Sequence, residues 1–177
     1  FVKLLSYELS GIIERSIIYT KMKNLSSTDT LTGCFSRRVL YSELKKEILR
    51  GERYNNVFSI VMVDVDNFKK YNDKFGHQKG DTLLKKIVST IKKNLRKTDT
   101  IYRFGGDEFV ILLPETDKKG AKKVTKKIKE EIERMDIKID EETKITISTG
   151  IAIFTKDGEK TKELLEKADQ NMYREKS

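Results

Sequence analysis

The chain has 177 residues, 37% of them charged, with 37 Lys and Arg against 28 Asp and Glu for a formal net charge of +9. That length suits one well-cored domain with an appended helix, and no apolar run is long enough to span a bilayer, so the composition predicts a soluble, cytoplasmic segment that makes no membrane contact. The single cysteine, Cys34, excludes an internal disulfide and a cysteine zinc site and predicts a free, buried thiol.

Residues 1 to 27 carry Leu5, Leu9, Ile12 or Ile13, Ile17 and Leu25 at roughly helical spacing. Such a stripe needs a partner: a second copy in a two-stranded coiled coil, an upstream domain whose last helix this is, or the chain's own body. From residue 28 onward the pattern predicts a helix over 36–50, a strand over 57–65 and a helix over 81–96. A hairpin over 100–113, a helix over 117–134, a strand over 144–153 and a helix over 161–176 follow. Ser36, Asp81, Asp117 and Thr161 are candidate N-caps, and Leu83, Leu84, Ile87, Val88, Ile91 and Leu95 form one core face. The alternation predicts an α/β (α+β) fold, a mixed sheet with helices packed on it. Lysines between Asp117 and Arg134 alternate with Ala121, Val124, Ile128 and Ile132, which reads as a solvated helix face. No aromatic residue is interleaved there for base stacking, so nucleic acid is not the expected partner.

Two acidic elements suggest chemistry. The run Val57 to Val63 is apolar on both faces, as in a strand buried inside a sheet, and it ends in Asp64-Val65-Asp66, whose carboxylates are two apart and expected to project together. In Arg103-Phe104-Gly105-Gly106-Asp107-Glu108-Phe109, the glycines are expected to form a two-residue turn with positive φ, with Asp107 and Glu108 opening the following strand and facing opposite sides. A central strand beside this hairpin brings Asp64 near Asp107 and Glu108. So much negative charge favours a divalent cation, and an all-oxygen ligand set with waters and phosphates suits Mg²⁺. The plainer reading of either motif alone is a solvated strand end.

Four segments together resemble the GGDEF family of diguanylate cyclases, over about residues 28 to 176. They are Asp29-Thr30-Leu31-Thr32-Gly33 with Arg37-Arg38; Asp64 to Lys69 running on to Asn72-Asp73 and Gly76 to Asp81; the Gly-Gly hairpin; and Ser148-Thr149-Gly150-Ile151-Ala152. Four ordered motifs at family spacing are far more specific than one. The resemblance implies a central antiparallel-rich mixed sheet flanked by helices, akin to the palm of nucleotidyl cyclases and polymerases, with residues 28–177 as the cyclase domain. It implies a homodimer that condenses two GTP molecules into cyclic di-GMP and releases two pyrophosphates. Residues 1–27 then resemble a signalling helix leaving a GAF-type sensory domain.

Residue by residue, the resemblance makes Asp64, the carbonyl of Val65, and Asp107 ligands of Mg²⁺ (or Mn²⁺). Glu108 becomes a further ligand or the base for the ribose 3′-hydroxyl. Asn72 and Asp81 would read guanine. The amides of Asn67 and Phe68, with Lys69 and Lys176, would hold phosphates, and His77 lies in the same substrate-binding stretch. Arg96 and Asp99 stand at the spacing of an inhibitory site for the product, cyclic di-GMP. The competing reading is a catalytically inactive module that binds GTP or cyclic di-GMP.

Overall fold

The structure, a computed structural model, describes residues 27–176. The helix expected over 1–27 therefore lies outside the described residues, apart from Ser27. In chain order the elements are β1 (Phe35–Ser36), α1 (Arg37–Tyr54), β2 (Ser59–Val65), α2 (Phe68–Phe75), α3 (His77–Lys93), β3 (Thr100–Gly105), β4 (Glu108–Leu113), α4 (Lys118–Glu133), β5 (Ile147–Ile153) and α5 (Thr161–Lys176). The sheet runs β1-β3-β4-β2-β5, with β1 parallel to β3 and every other pair antiparallel. This is the antiparallel-rich mixed sheet flanked by helices that the sequence predicts. Among the described residues no helix is long and apolar enough to cross a membrane.

The apolar run of β2 is explained by its place between β4 and β5, covered on both faces. Val61, Val63 and Val65 point to the α3 and α4 side, where they meet Leu84, Ile87 and Ile128. Ile60 and Met62 point the other way, to Leu40 and Leu44 of α1 and Leu164 and Met172 of α5. Burying one such side chain contributes roughly 1.5–3 kcal/mol, so two cores sharing one sheet hold the central strand firmly. The alternation continues past the core: Asp64 follows Ile60 and Met62 onto the α1 and α5 face, and Glu108 of β4 shares that face with Val110 and Leu112. Cys34 is buried, as expected, and burial pushes its thiol pKa up.

Several boundaries differ from the sequence reading. The helix expected from residue 81 begins at His77, with Gly76 in the N-cap position at φ 85°, so Asp81 lies in the second turn and caps nothing. Helix α2 was not anticipated. Its apolar residues Phe68, Tyr71 and Phe75 pack on the core while its Lys, Asn and Asp residues give the segment the look of a loop. Strand β5 starts at Ile147 rather than 144, and β2 at Ser59 rather than 57. Asp117 does cap α4, accepting from the Gly120 amide at 2.8 Å. Ser36 occupies the N-cap position of α1 without a side-chain cap bond. At α5 the Glu163 carboxylate accepts from the amides of Glu159 (3.0 Å) and Lys160 (3.2 Å), a role the sequence reading had left to Thr161.

Where α5 crosses β5, the strand carries Gly150, and a Cβ there would collide with backbone atoms of Ala168 and Met172. A helix backbone cannot yield as a side-chain tip can. Gly150→Ala is therefore expected to lower stability by at least about 1–3 kcal/mol in urea or thermal unfolding. Gly106→Ala, with no atom within 4 Å of the added carbon, is expected to be close to neutral in the same measurement.

Candidate functional site

The β3–β4 turn is tighter in register than expected. Arg103 pairs with Phe109 but Gly105 pairs with Glu108, with an irregularity between, so the two turn residues are Gly106 and Asp107 rather than Gly105 and Gly106. Neither hairpin glycine has positive φ; among the described glycines only Gly33, Gly76 and Gly158 do. A Cβ at 105 would approach a Glu108 carboxylate oxygen at 3.0 Å, a tight contact that the side-chain end can relieve by a small shift. Asp107 sits in the turn itself, and Glu108 opens β4.

Register then gathers the acids. Asp64 is the cross-strand partner of Glu108, and the Val65 amide donates to the Asp107 carbonyl at 3.3 Å, which holds the turn against the end of β2. Asp64, Asp107 and Glu108 converge as the sequence predicts. Burial, followed by the Asp64 charge, raises the pKa of Asp107. The Glu108 carboxyl is raised by burial first and then by the charges of Asp64, Asp107 and Asp169. Protonated forms are favoured because these groups are both partly desolvated and mutually repelling.

A cationic group already answers this field. The Lys176 ammonium lies 2.5 Å from Asp64 Oδ1, at the end of α5. Burial works against its charge, yet the hydrogen bond to Asp64 and the charges of Asp64, Asp66 and Asp107 hold its pKa above the usual lysine value. Among the described residues no three His, Cys, Asp or Glu side chains close to metal-holding distance. A divalent ion here would draw on one or two carboxylates together with main-chain, water or phosphate oxygens, an arrangement suited to Mg²⁺.

Asp66 does not join Asp64. Its two oxygens accept from Thr146 Oγ1 and Ser148 Oγ, both at 2.7 Å, so it ties the end of β2 to β5. Asn67, at φ 61°, turns the chain into α2 and donates from Nδ2 to the Lys144 carbonyl at 3.2 Å. The first amides of α2, from Phe68 on, have no partner within the helix, and Lys69 is exposed beside them. His77 is exposed at the first position of α3.

Asn72 and Asp81 are brought to the α2–α3 corner. A Cβ on Gly80 would strike the Asn72 carboxamide, so the helices approach closely at this point, with Asp81 the next residue. Asn72 Oδ1 is the one buried side-chain polar atom among the described residues without a hydrogen-bond partner. That oxygen faces Gly80 across the helix contact, and a buried acceptor without a donor costs about 1–3 kcal/mol.

Arg96 and Asp99 form a closed turn: Asp99 Oδ2 accepts from the Arg96 amide at 2.9 Å, and the Asp99 amide donates to the Arg96 carbonyl at 3.1 Å. Both line a cavity of about 320 Å³ with Gly33, Cys34 and Phe35. Strand β3 separates them from the acidic turn by about 17 Å.

Sequence reasoning missed a clamp. Arg103 donates to both Asp29 oxygens (2.9 and 3.1 Å) and, through Nε and Nη2, to the Gly106 carbonyl (3.0 and 2.6 Å). Asp29 also accepts from Thr32 N (2.8 Å) and Thr32 Oγ1 (2.6 Å). Burial opposes its charge, but the Thr32 bonds and then Arg103 hold its pKa below the usual value. Its contribution to stability is present where the unfolded carboxylate is ionised and is lost as pH falls through the depressed value. Asp169, which adds its charge to the Glu108 environment from α5, was missed as well. Both involve partners far apart in the chain, for which local pattern carries no signal.

The sequence matches the family described as "Diguanylate cyclase, GGDEF domain" over residues 26–177. It is 38% identical over 150 residues to diguanylate cyclase DgcP of Pseudomonas aeruginosa, covering 84% of this chain and 22% of that protein. To diguanylate cyclase DosC of Escherichia coli it is 33% identical over 147 residues, covering 82% of this chain and 32% of DosC. The chain thus spans less than a third of either relative. Among solved structures, the GGDEF domain of DgcB from Caulobacter crescentus, in complex with c-di-GMP, superposes with TM-score 0.79 at 26% identity over 85% of this chain and 90% of that one. Diguanylate cyclase SiaD of Pseudomonas aeruginosa, in complex with its activator SiaC, gives 0.76 at 30% identity over 96% and 67%. Agreement in sequence and fold across the whole described body makes this chain a member of the GGDEF-domain family.

Proposed function

We propose that this chain is the catalytic part of a diguanylate cyclase, which joins two GTP molecules into cyclic di-GMP. The cross-strand pairing of Asp64 with Glu108, with Asp107 tied to Val65 between them, is the observation that carries this reading. Each ribose 3′-hydroxyl attacks the α-phosphate of the other nucleotide, the α–β phosphoanhydride breaks, and pyrophosphate leaves. Glu108, whose raised pKa makes it a better proton acceptor than an ordinary carboxylate, takes the hydroxyl proton. Asp64, Asp107 and the Val65 carbonyl are the residues to hold Mg²⁺ or Mn²⁺, which when bound supplies Lewis-acid stabilisation of the phosphoryl charge.

The α2 amides after Asn67, with Lys69, hold the phosphates, as a helix start suits an anion. Lys176 moves from Asp64 onto a phosphate when a stronger cation takes the carboxylates. Asn72 and Asp81 read guanine, whose N1–H and 2-amino group are donors that adenine does not offer at those positions. His77 borders the same corner. One domain presents one such site, so two copies facing across a twofold axis bring both hydroxyls to both phosphates. The apolar stripe from Leu5 to Leu25 supports pairing by a helix at residues 1–27, in the manner of a signalling helix below a sensory domain. Arg96 and Asp99 bind the product and restrain the enzyme.

The alternative, a nucleotide-binding module without turnover, is disfavoured by the intact acidic set. Incubation with GTP and Mg²⁺, with the product identified by mass spectrometry, decides between them. Asp107→Ala with Glu108→Ala is expected to lower cyclic di-GMP formation by about 10²–10⁴-fold. Mg²⁺ or Mn²⁺ should raise the melting temperature of the parent chain but not of that variant. Because the carboxyl pKa values are raised, this thermal shift should begin to fade on acidification at higher pH than ordinary carboxylates would allow. Synthesis undiminished in the double variant would sink the proposal.

Base reading and feedback have separate tests. Alanine at Asn72 and Asp81 together should narrow the preference for GTP over ATP by about tenfold or more, measured as a ratio of kcat/KM. An unchanged ratio would remove these residues from guanine recognition. Arg96→Ala should leave the initial rate intact and relieve inhibition by added cyclic di-GMP; inhibition that persists at full strength would place the feedback site elsewhere.

A further inference from the structure

A groove of about 770 Å³ lies away from the acidic turn, between α4, the edge strand β5 and α5. Its wall on α4 carries Lys118, Lys122, Lys126 and Lys129, and Lys167 faces them from α5. A second ladder, Lys119, Lys123 and Lys127, runs along the same helix without lining the groove. The charge order of α4 runs against helix physics. Lysines fill the turns at the positive end, acids gather at the other end, and like charges recur four apart. The core face of Ala121, Thr125, Ile128 and Ile132 does not need those lysines, and of the groove lysines on α4 only Lys126 and Lys129 have an acidic partner among the described residues.

The edge of β5 is closed to another strand. Glu175 accepts from the Thr149 amide at 2.7 Å, Asn171 donates to the Ile151 carbonyl at 2.8 Å, and Asp157 accepts from the Ile153 amide at 2.9 Å. An occupant of the groove is therefore held by its side chains, not by strand addition.

We propose that this groove docks an extended, acidic segment of a partner protein, whose carboxylates at alternate positions meet Lys118, Lys122 and Lys126. Four helical residues rise about 6 Å and two extended residues about 6.6 Å, so alternate carboxylates keep step with the ladder. Lys118, Lys122 and Lys167 have no acidic partner among the described residues, while Lys126 has Glu130 at 3.8 Å and Lys129 has Glu175 at 2.5 Å. Acids line the groove too: Glu130 and Glu133 on α4, and Asp157 and Glu175, which already accept from β5 amides. No aromatic side chain lines it to stack a base, which disfavours a nucleic acid strand. The groove ends beside the candidate active site, since Glu175 in its wall is followed by Lys176 on Asp64.

The test is fluorescence anisotropy of the whole chain with a labelled decapeptide of alternating Glu and Thr, at low salt and at physiological salt. Lys122→Glu with Lys126→Glu is expected to weaken binding by about tenfold or more, whereas Lys119→Glu with Lys123→Glu, an identical charge change on the ladder outside the groove, should cost under about threefold. Equal losses would show attraction to net charge alone and overturn the proposal. So would a ten-residue oligothymidylate that binds as tightly as the peptide, or a peptide that does not bind the parent chain at low salt. Matching melting temperatures for the two variants keep misfolding from imitating either result.

Discussion

The antiparallel register between β2 and β4 is the constraint from which the candidate site follows. Six residue pairs, from Ser59 with Leu113 to Asp64 with Glu108, bring one carboxylate opposite another at the end of two buried strands. Shifting the register by one residue would turn Asp64 to the other face and expose Ile60 and Met62 in the wrong layer. Two separate cores fix that register, because each face of β2 is covered by its own pair of helices. The acidic site is thus paid for by packing elsewhere in the sheet.

Electrostatics at this end of the sheet is unfavourable by itself and is partly offset by one lysine. Asp107 and Glu108 are raised in pKa by burial and by neighbouring carboxylates, while Lys176 seats a positive group on Asp64. Asp66 turns instead to two hydroxyl donors, which hold its carboxylate on the β5 side. The Arg103 fork joins the turn carbonyl of Gly106 to Asp29 in the segment that enters the domain. A change at that entry therefore has a short polar route to the acidic turn.

Along α4 the molecule carries a second charge pattern of opposite sign. Lysines on α4 occupy positions that the helix dipole disfavours, and Glu175 links their groove to the helix end that places Lys176. Such placement is understandable if surface charge here serves recognition more than stability, since exposed ion pairs contribute little to folding.

From the residues alone one could read the two acidic motifs, the buried character of β2, the alternation of helices and strands, the free thiol of Cys34 and the family likeness. Each of these is local: it depends on spacing along a few turns or one strand. What only the tertiary structure decided is non-local or steric. The turn falls at Gly106-Asp107 because a register irregularity precedes it, and neither hairpin glycine takes the positive φ that a two-residue Gly-Gly turn would need. Helix α2 was hidden since its Lys, Asn and Asp residues outnumber the three aromatics that pack it. The Asp29–Arg103 clamp, the diversion of Asp66 to β5 and the seat of Lys176 on Asp64 join residues 74, 80 and 112 positions apart. No periodicity reports such contacts, because they are made only once the two cores have set the sheet.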